Sequence, residues 1–250
     1  MNVATVERPV RARLGNWPYD PNVAHLVLLD HNMVPDAGDV STWVQMAAQR
    51  GAKALRTGAL FPTSIHAFEQ AGFVPIDALT LLECDLSGPL PIKLSRRSMR
   101  PRTSPQRTTP VRRLRFTDLS AAATVDRRAF SPPWGNDPET LAEICRATPH
   151  YRSRAISESG QLSAFSISGR TKSCGYIQRV AVDPSRQRCG LGRTLVIDAM
   201  EWMLRRNAGR VLVNTAADNQ AAISLYRSVG FETRPERLVI LELSIGNPQQ

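Results

Sequence analysis

Residues 180–195 read V-A-V-D-P-S-R-Q-R-C-G-L-G-R-T-L. The apolar residues 180–182 predict the end of a strand. A Pro-Ser turn follows, and then a loop holding Gly190 and Gly192. Leu191, Leu195, Val196, Ala199, Trp202 and Met203 place one apolar face on a helix over about 190–206. A strand therefore runs through a short loop into a helix. The first N–H groups of a helix have no internal partners, and its dipole is positive there. Two glycines let an anion approach that backbone closely, and Arg186, Arg188 and Arg193 add positive charge. Such a loop suits a pyrophosphate. No G-K-[ST] follows, which excludes a Walker loop, and the third glycine of the dinucleotide fingerprint is missing.

About thirty residues further on stands D-N-Q-A-A-I-S-L-Y-R-S-V-G-F, residues 218–231. Asp218 or Asn219 can cap a helix that stops at Gly230. Ala222, Ile223 and Tyr226 fall on one helical face, so Tyr226 reads first as a core residue.

Working outward, strands are expected at 111–115, 151–158, 161–168, 174–182, 211–215 and 237–245. Helices are expected near 118–129 and 138–148, the latter capped by Asn136 or Asp137 with Pro138 in its first turn. The chain before residue 87 looks like a shorter copy of its end. A shift of 158 brings Gly51 to Gly209, Thr57 to Thr215, Ile65 to Ile223, Phe68 to Tyr226 and Gly72-Phe73 to Gly230-Phe231. Its expected elements are strands at 24–29, 53–57 and 79–85 and helices at 40–50 and 63–71, with no room for the earlier hairpins.

Between the copies lies a segment of another kind. Residues 87–110 hold five prolines with Ser, Thr and Arg and little apolar periodicity, which reads as an extended linker. Residues 87–115 carry nine basic side chains and no acidic one, so the net charge of +10 is mostly a local property. The expected organisation is an N-terminal extension (1–19), a degenerate half (20–86), a basic Pro/Arg-rich linker (87–110) and a catalytic domain (111–246).

Composition excludes several classes. A hydrophobic content of 42% is enough for real cores, so global disorder is ruled out. No apolar run reaches the roughly 18 residues of a membrane helix, and the first residues lack the apolar core of a secretory signal. Cys84, Cys145, Cys174 and Cys189 have no C-x-x-C spacing, which predicts no metal site, reduced thiols in the cytoplasm, and small buried hydrophobes.

Together the two motifs resemble the GNAT superfamily of N-acetyltransferases, in a tandem arrangement with a degenerate N-terminal half. The family's [QR]-x-x-G-x-[GA] matches Q-R-C-G-L-G from Gln187 to Gly192. Its N-x-x-A-x-x-L-Y-x-x-x-G-F matches Asn219, Ala222, Leu225, Tyr226, Gly230 and Phe231 without a gap. The resemblance implies an α/β (α+β) fold with a central mixed sheet flanked by helices, and a truncated second GNAT-like unit. It implies transfer of an acetyl group from acetyl-CoA, as co-substrate, to a primary amine by direct attack. The strand at Val180, Ala181 and Val182 should splay from its neighbour and pair with the pantetheine arm, the Val182 N–H serving as oxyanion donor. The main chain of Arg188, Cys189, Gly190, Leu191, Gly192 and Arg193 should hold the pyrophosphate, Asn219 should meet the cofactor arm, and Tyr226 should act as general acid.

The C-terminal half is also loosely similar to ribosomal-protein alanine N-acetyltransferases, through A-F-S-P-P-W-G at 129–135. That branch places a glutamate base five positions before the motif asparagine, where this chain has Asn214. Glu143, His150, Asp183, Glu232 or a water chain remain as bases, and the acceptor is a peptide N-terminus or a small molecule. The N-terminal copy lacks the machinery, with Phe61 in place of Asn219 and Phe68 in place of Tyr226. Two other functions fit the composition: a nucleic-acid or ribosome-associated protein using 93–115, and an acyl-CoA-binding protein without turnover. No aromatic residue interleaves that basic run to stack on bases. A monomer or a homodimer is expected.

Overall fold

The computed structural model describes residues 10–29, 33–88, 110–130 and 132–246. Most of the proposed linker, 89–109, lies outside the described residues. In order the elements are β1 (Ala12–Trp17), β2 (Asp20–Leu28), α1 (Ala37–Gln49), β3 (Ala54–Thr57), α2 (Pro62–Gln70), β4 (Val74–Asp85), β5 (Arg112–Arg113), α3 (Leu119–Ala129), α4 (Pro138–Arg146), β6 (His150–Glu158), β7 (Gln161–Arg170), β8 (Cys174–Val182), α5 (Leu191–Leu204), β9 (Arg210–Ala216), α6 (Gln220–Ser228) and β10 (Glu232–Ser244). The helices form where sequence supplies caps. Asp137 accepts from the Thr140 N–H ahead of Pro138, Asn219 accepts from the Ala222 N–H, and Gly230 takes φ 98° just past α6.

The chain forms two compact units, residues up to 80 with 235 onward, and residues 81–234. These cut across the boundaries read from sequence. In the first unit the strand order is β1-β2-β3-β10, with β1 antiparallel to β2, β2 parallel to β3 and β3 antiparallel to β10. In the second it is β9-β8-β7-β6-β5, β8 and β9 being parallel and the others antiparallel, with Leu81–Asp85 of β4 beside β9. The sheets are mixed, as expected. The repeat makes β3 the counterpart of β9, and β4 that of β10. Each unit therefore completes its sheet with the closing strand of the other half of the chain.

Three expectations need correction. The N-terminal copy does have a hairpin: β1 pairs with β2 from Ala12 opposite Leu28 to Trp17 opposite Asp20, so a strand begins inside the supposed extension. The strand at 111–115 shrinks to two residues, because the chain turns into a 3-10 turn at Phe116–Asp118. Cys84, Cys145 and Cys174 are buried, but Cys189 is exposed.

The first unit has one core, in which Leu26, Val40, Ala47, Leu55, Phe68 and Leu241 meet. At its edge the His25 ring stands edge-on to Trp17 at 4.9 Å, and Arg56 lies over the same indole and bonds to Glu242. Burial, and then the charges of Arg13 and Arg56, push the His25 imidazole down to about 4. Below the ordinary value near 6.5 the unfolded chain binds this proton and the folded chain does not. Stability should therefore fall as pH drops from about 6.5 to 4, by about 3 kcal/mol. Urea midpoints measured across that window check this; His25→Gln should flatten the slope, and an unchanged slope rejects the assignment.

In the second unit, side-chain alternation divides the sheet. Ala155, Phe165, Ile167 and Ala181 pack under α3 and α4, while Ile156 and Ala164, with Val180 and Val182, meet Leu195 of α5. Polar pairs tie each layer down. Asp198 of α5 meets Arg152 and Arg154 of β6. Asp126 of α3, with 0% exposure, takes both arms of Arg179 from β8.

Candidate active site

The site begins with a register change. Ile167 lies opposite Arg179 but Ser168 lies opposite Ile177, so Gln178 is an extra residue in β8. Before this bulge β8 pairs with β9, from Cys174 opposite Arg210 to Ile177 opposite Val213. After it that pairing stops, although both strands continue, to Val182 and to Ala216. The two parallel strands are therefore unpaired beyond Ile177 and Val213.

The alternation of an antiparallel ladder then settles which main-chain groups face the opening. The Asp183 N–H bonds to the Ser163 carbonyl at 2.9 Å, so Asp183 and Ala181 face β7. Val180 and Val182 turn their N–H and C=O groups the other way, toward the gap. The Val182 carbonyl there accepts from Gln187 Nε2 at 3.4 Å. Of the three residues assigned to the cofactor strand, Ala181 is therefore engaged with β7 and buried under the opposite helices. Only Val180 and Val182 offer their backbone.

The loop beyond is open. Arg188 has φ 63° and Gly190 φ 82°, two left-handed residues on either side of Cys189; turns of this kind can gather N–H groups for an anion. Gly190 is the N-cap of α5 and no side chain caps it. The first helical bond is Thr194 N–H to the Gly190 carbonyl, and no acceptor among the described residues takes the N–H groups of residues 188–193. A Cβ on Gly192 would lie 3.3 Å from Leu225 Cδ2 and 3.6 Å from Val182 Cγ2. The first turn of α5 is thus held between the end of β8 and α6. Arg188, Cys189 and Arg193 are exposed, Leu191 packs inward, and Arg186 is tied to Glu158.

On α6, Asn219 uses its Oδ1 to cap the helix, which leaves its NH₂ group for other partners. Tyr226 is 6% exposed and its ring leans on Phe231 at 5.6 Å. Burial pushes its phenol up to about 12, and the charge of Arg179 acts against this. Asn214 is exposed in the opened part of β9. Asp183 accepts from Ser185 N–H and Oγ and meets Arg128 at 2.8 Å. The Ser185 hydroxyl, helped by the Ser185 N–H and Arg128, holds its carboxyl below the usual range.

Sequence reading missed Arg179. Its Nε and Nη2 bond to Asp126 at 2.7 and 2.6 Å, Nη2 also reaches the Trp134 carbonyl, and the guanidinium lies 3.5 Å from the Phe130 ring centroid. Asn136 donates to the same carboxylate through its N–H and its side chain. One buried ion pair therefore anchors the Pro-Trp turn to the bulged strand. Asp126→Ala would leave Arg179 with its charge half-buried and unmatched. The expected loss is about 3 kcal/mol, read from urea unfolding; a loss under about 1 kcal/mol would show the pair to be dispensable.

The same chain holds a natural control. In the first unit β2 and β3 stay paired from Val23 opposite Ala54 to Leu26 opposite Thr57, and the Gly58 N–H continues the ladder to the Leu26 carbonyl. Nothing opens. The helix that follows β2 is sealed by a capping box, with Asp36 accepting from the Asp39 N–H and Asp39 from the Asp36 N–H. Phe68, at the place of Tyr226, is fully buried and stacked on Trp43 at 6.0 Å.

An opened parallel pair leading into an uncapped glycine turn is the arrangement that the resemblance to the GNAT superfamily implies. The model of the GNAT family of acetyltransferases matches residues 119–231. The [ribosomal protein bS18]-alanine N-acetyltransferase of Escherichia coli is 33% identical over 118 residues, 47% of this chain and 77% of that protein. The N-alpha-acetyltransferase RimI of Mycobacterium tuberculosis is 32% identical over 121 residues, 46% of this chain and 73% of that protein. A tandem GNAT protein from the clavulanic acid biosynthesis pathway superposes with a TM-score of 0.59 at 15% identity, over 95% of this chain and 79% of that one, a likeness of fold alone. The chain belongs to the GNAT family of acetyltransferases. Its activity is that of an N-acetyltransferase, moving an acetyl group from acetyl-CoA to an amine.

Proposed function

We propose that the second unit acetylates the N-terminal amine of a peptide, and that the first is a diverged GNAT-like half without transfer activity. The open turn at Arg188–Arg193, contrasted with the sealed one at Asp36–Asp39, carries the first part. The relatives named as a ribosomal-protein alanine N-acetyltransferase and an N-alpha-acetyltransferase, and the Pro-Trp turn held by Arg179 and Asp126, support the peptide acceptor. The exposed Asn214 distinguishes this chain from the branch with a glutamate there.

Acetyl-CoA brings an activated acetyl thioester and a diphosphate to such a site. The donor set fits it: free main-chain N–H groups and arginines for the diphosphate, and an unpaired strand edge at Val180 and Val182 for the amide-bearing arm. The Val182 N–H would donate to the carbonyl oxygen as it gains charge. Tyr226 would keep its proton until it is needed at the departing sulfur. Gln187 and the Asn219 NH₂ would orient the arm. The amine must arrive neutral, and Asp183 is a poor base for it, because a carboxylate held by a hydroxyl, an N–H and an arginine binds a proton weakly. Glu143, His150 and Glu232 remain.

No helix among the described residues is long and apolar enough to cross a membrane. The four cysteines stand as free thiols, which supports work in the reducing cytoplasm. Calorimetry with acetyl-CoA tests the reading, with micromolar binding expected. Thiol release with N-terminally free peptides, compared with their blocked forms and with small amines, then tests the acceptor. No heat of binding ends the first claim; equal turnover of free and blocked peptides ends the second.

A further inference from the structure

On the face of α3 and α4, away from the α5 turn, Arg113, Leu114, Arg115, Phe116, Leu119, Cys145, Tyr151 and Ser153 line a pocket of about 190 Å³. Its floor is apolar: Leu114, Leu119 and Cys145 are buried. Its rim is unusual. Phe116 is 60% exposed and Tyr151 38% exposed. Arg146 stands over the Phe116 ring at 5.7 Å. No salt bridge among the described residues holds the guanidinium of Arg113, Arg115 or Arg146, although Arg115 feels the charge of Asp118, while the neighbouring Arg112 is bonded to Asp118 and Arg186 to Glu158. Two exposed rings beside guanidiniums make a surface suited to a ligand that is both flat and anionic.

We infer that this pocket is a binding site for single-stranded nucleic acid, one base entering between Phe116 and Tyr151 while Arg113, Arg115 and Arg146 meet the adjoining phosphates. Charge complementarity selects this occupant. Arg113 and Arg115 end the run 87–115, nine positive charges with no negative one, which is suited to a polyanion. The run has no aromatic residue of its own, which in sequence weakens a nucleic-acid role. The fold supplies the missing rings: Phe116 follows the run directly, and Tyr151 comes from β6, opposite the short strand β5 in which the run ends. The pocket is too small for a drug-sized ligand and has room for one flat ring. An aromatic anchor on an acidic protein is the competing occupant.

The test uses the full chain and an unstructured, fluorescein-labelled RNA oligonucleotide, read by anisotropy over a range of salt. Binding is expected, weakened about tenfold by Phe116→Ala and by Tyr151→Ala. Phe116→Leu should bind as weakly as Phe116→Ala, because it keeps apolar volume without a π face. Arg113→Gln with Arg115→Gln should lower the slope of log K against log salt by about two. Unchanged melting and unchanged acetyl-CoA binding in these variants show that the fold is intact. Three outcomes overturn the site: no RNA binding, full affinity in both alanine variants, or tighter binding of an acidic, tryptophan-bearing peptide that displaces the RNA. A DNA oligonucleotide of the same sequence separates recognition of the ribose from recognition of base and phosphate.

Discussion

Tyr226→Phe is expected to lower kcat by about a hundredfold or more, with acetyl-CoA affinity nearly unchanged. The ring is a core element, packed on Phe231 and among Val196, Met200 and Val229, and phenylalanine keeps all of that. Only the hydroxyl proton is lost. Because burial holds the phenol near 12, Tyr226 stays protonated throughout the working range. The parent enzyme should therefore show no alkaline fall from this group below about pH 11, and the variant should keep the parent's pH profile at a lower level. Parent-like kcat in Tyr226→Phe would remove Tyr226 from the chemistry.

Gly190→Glu should reduce acetyl-CoA affinity by at least about a hundredfold while leaving the fold standing. At Gly190 a Cβ meets nothing within 4 Å, so the change creates no clash. The left-handed φ of 82° costs any other residue about 1–2 kcal/mol. The new carboxylate gains part of that back from the helix N-terminus. It does so by taking the N–H groups that the diphosphate needs, and by repelling the diphosphate itself. The chain already contains this arrangement, where Asp36 and Asp39 close the head of α1. Gly190→Ala, which carries the strain without the charge, should lose far less affinity. Equal losses in the two variants would mean that backbone strain, not anion binding, governs the turn. Calorimetry separates them.

Much of this site is legible in one dimension because its parts are local. Gly190 and Gly192, the caps Asp137 and Asn219, and the stop at Gly230 each act through neighbours within a few residues, so their spacing alone announces them. That the N-terminal half has no hydroxyl where Tyr226 stands is legible too, in Phe68. What escapes is everything set by partners far along the chain. The bulge at Gln178, which opens β8 from β9, leaves no mark in the apolar pattern of 174–182. The Asp126–Arg179 pair spans 53 positions. Ala181 looks like its neighbours until the ladder parity is known. The pocket at Phe116 and Tyr151 joins a basic run to rings that no window of sequence contains together.

The trade of closing strands has a consequence for how the protein is made. Arg56 meets Glu242 across 186 positions, so the first unit stays short of that strand until those further residues have been made. Phe68 and Leu55 cannot be roofed by Leu241 before that residue leaves the ribosome. Until then the N-terminal half is an unfinished sheet with a bare edge, exposed to chaperones and to aggregation. Severing the gene into two separately expressed halves should for the same reason yield two insoluble pieces, each short of the strand that the other one carries.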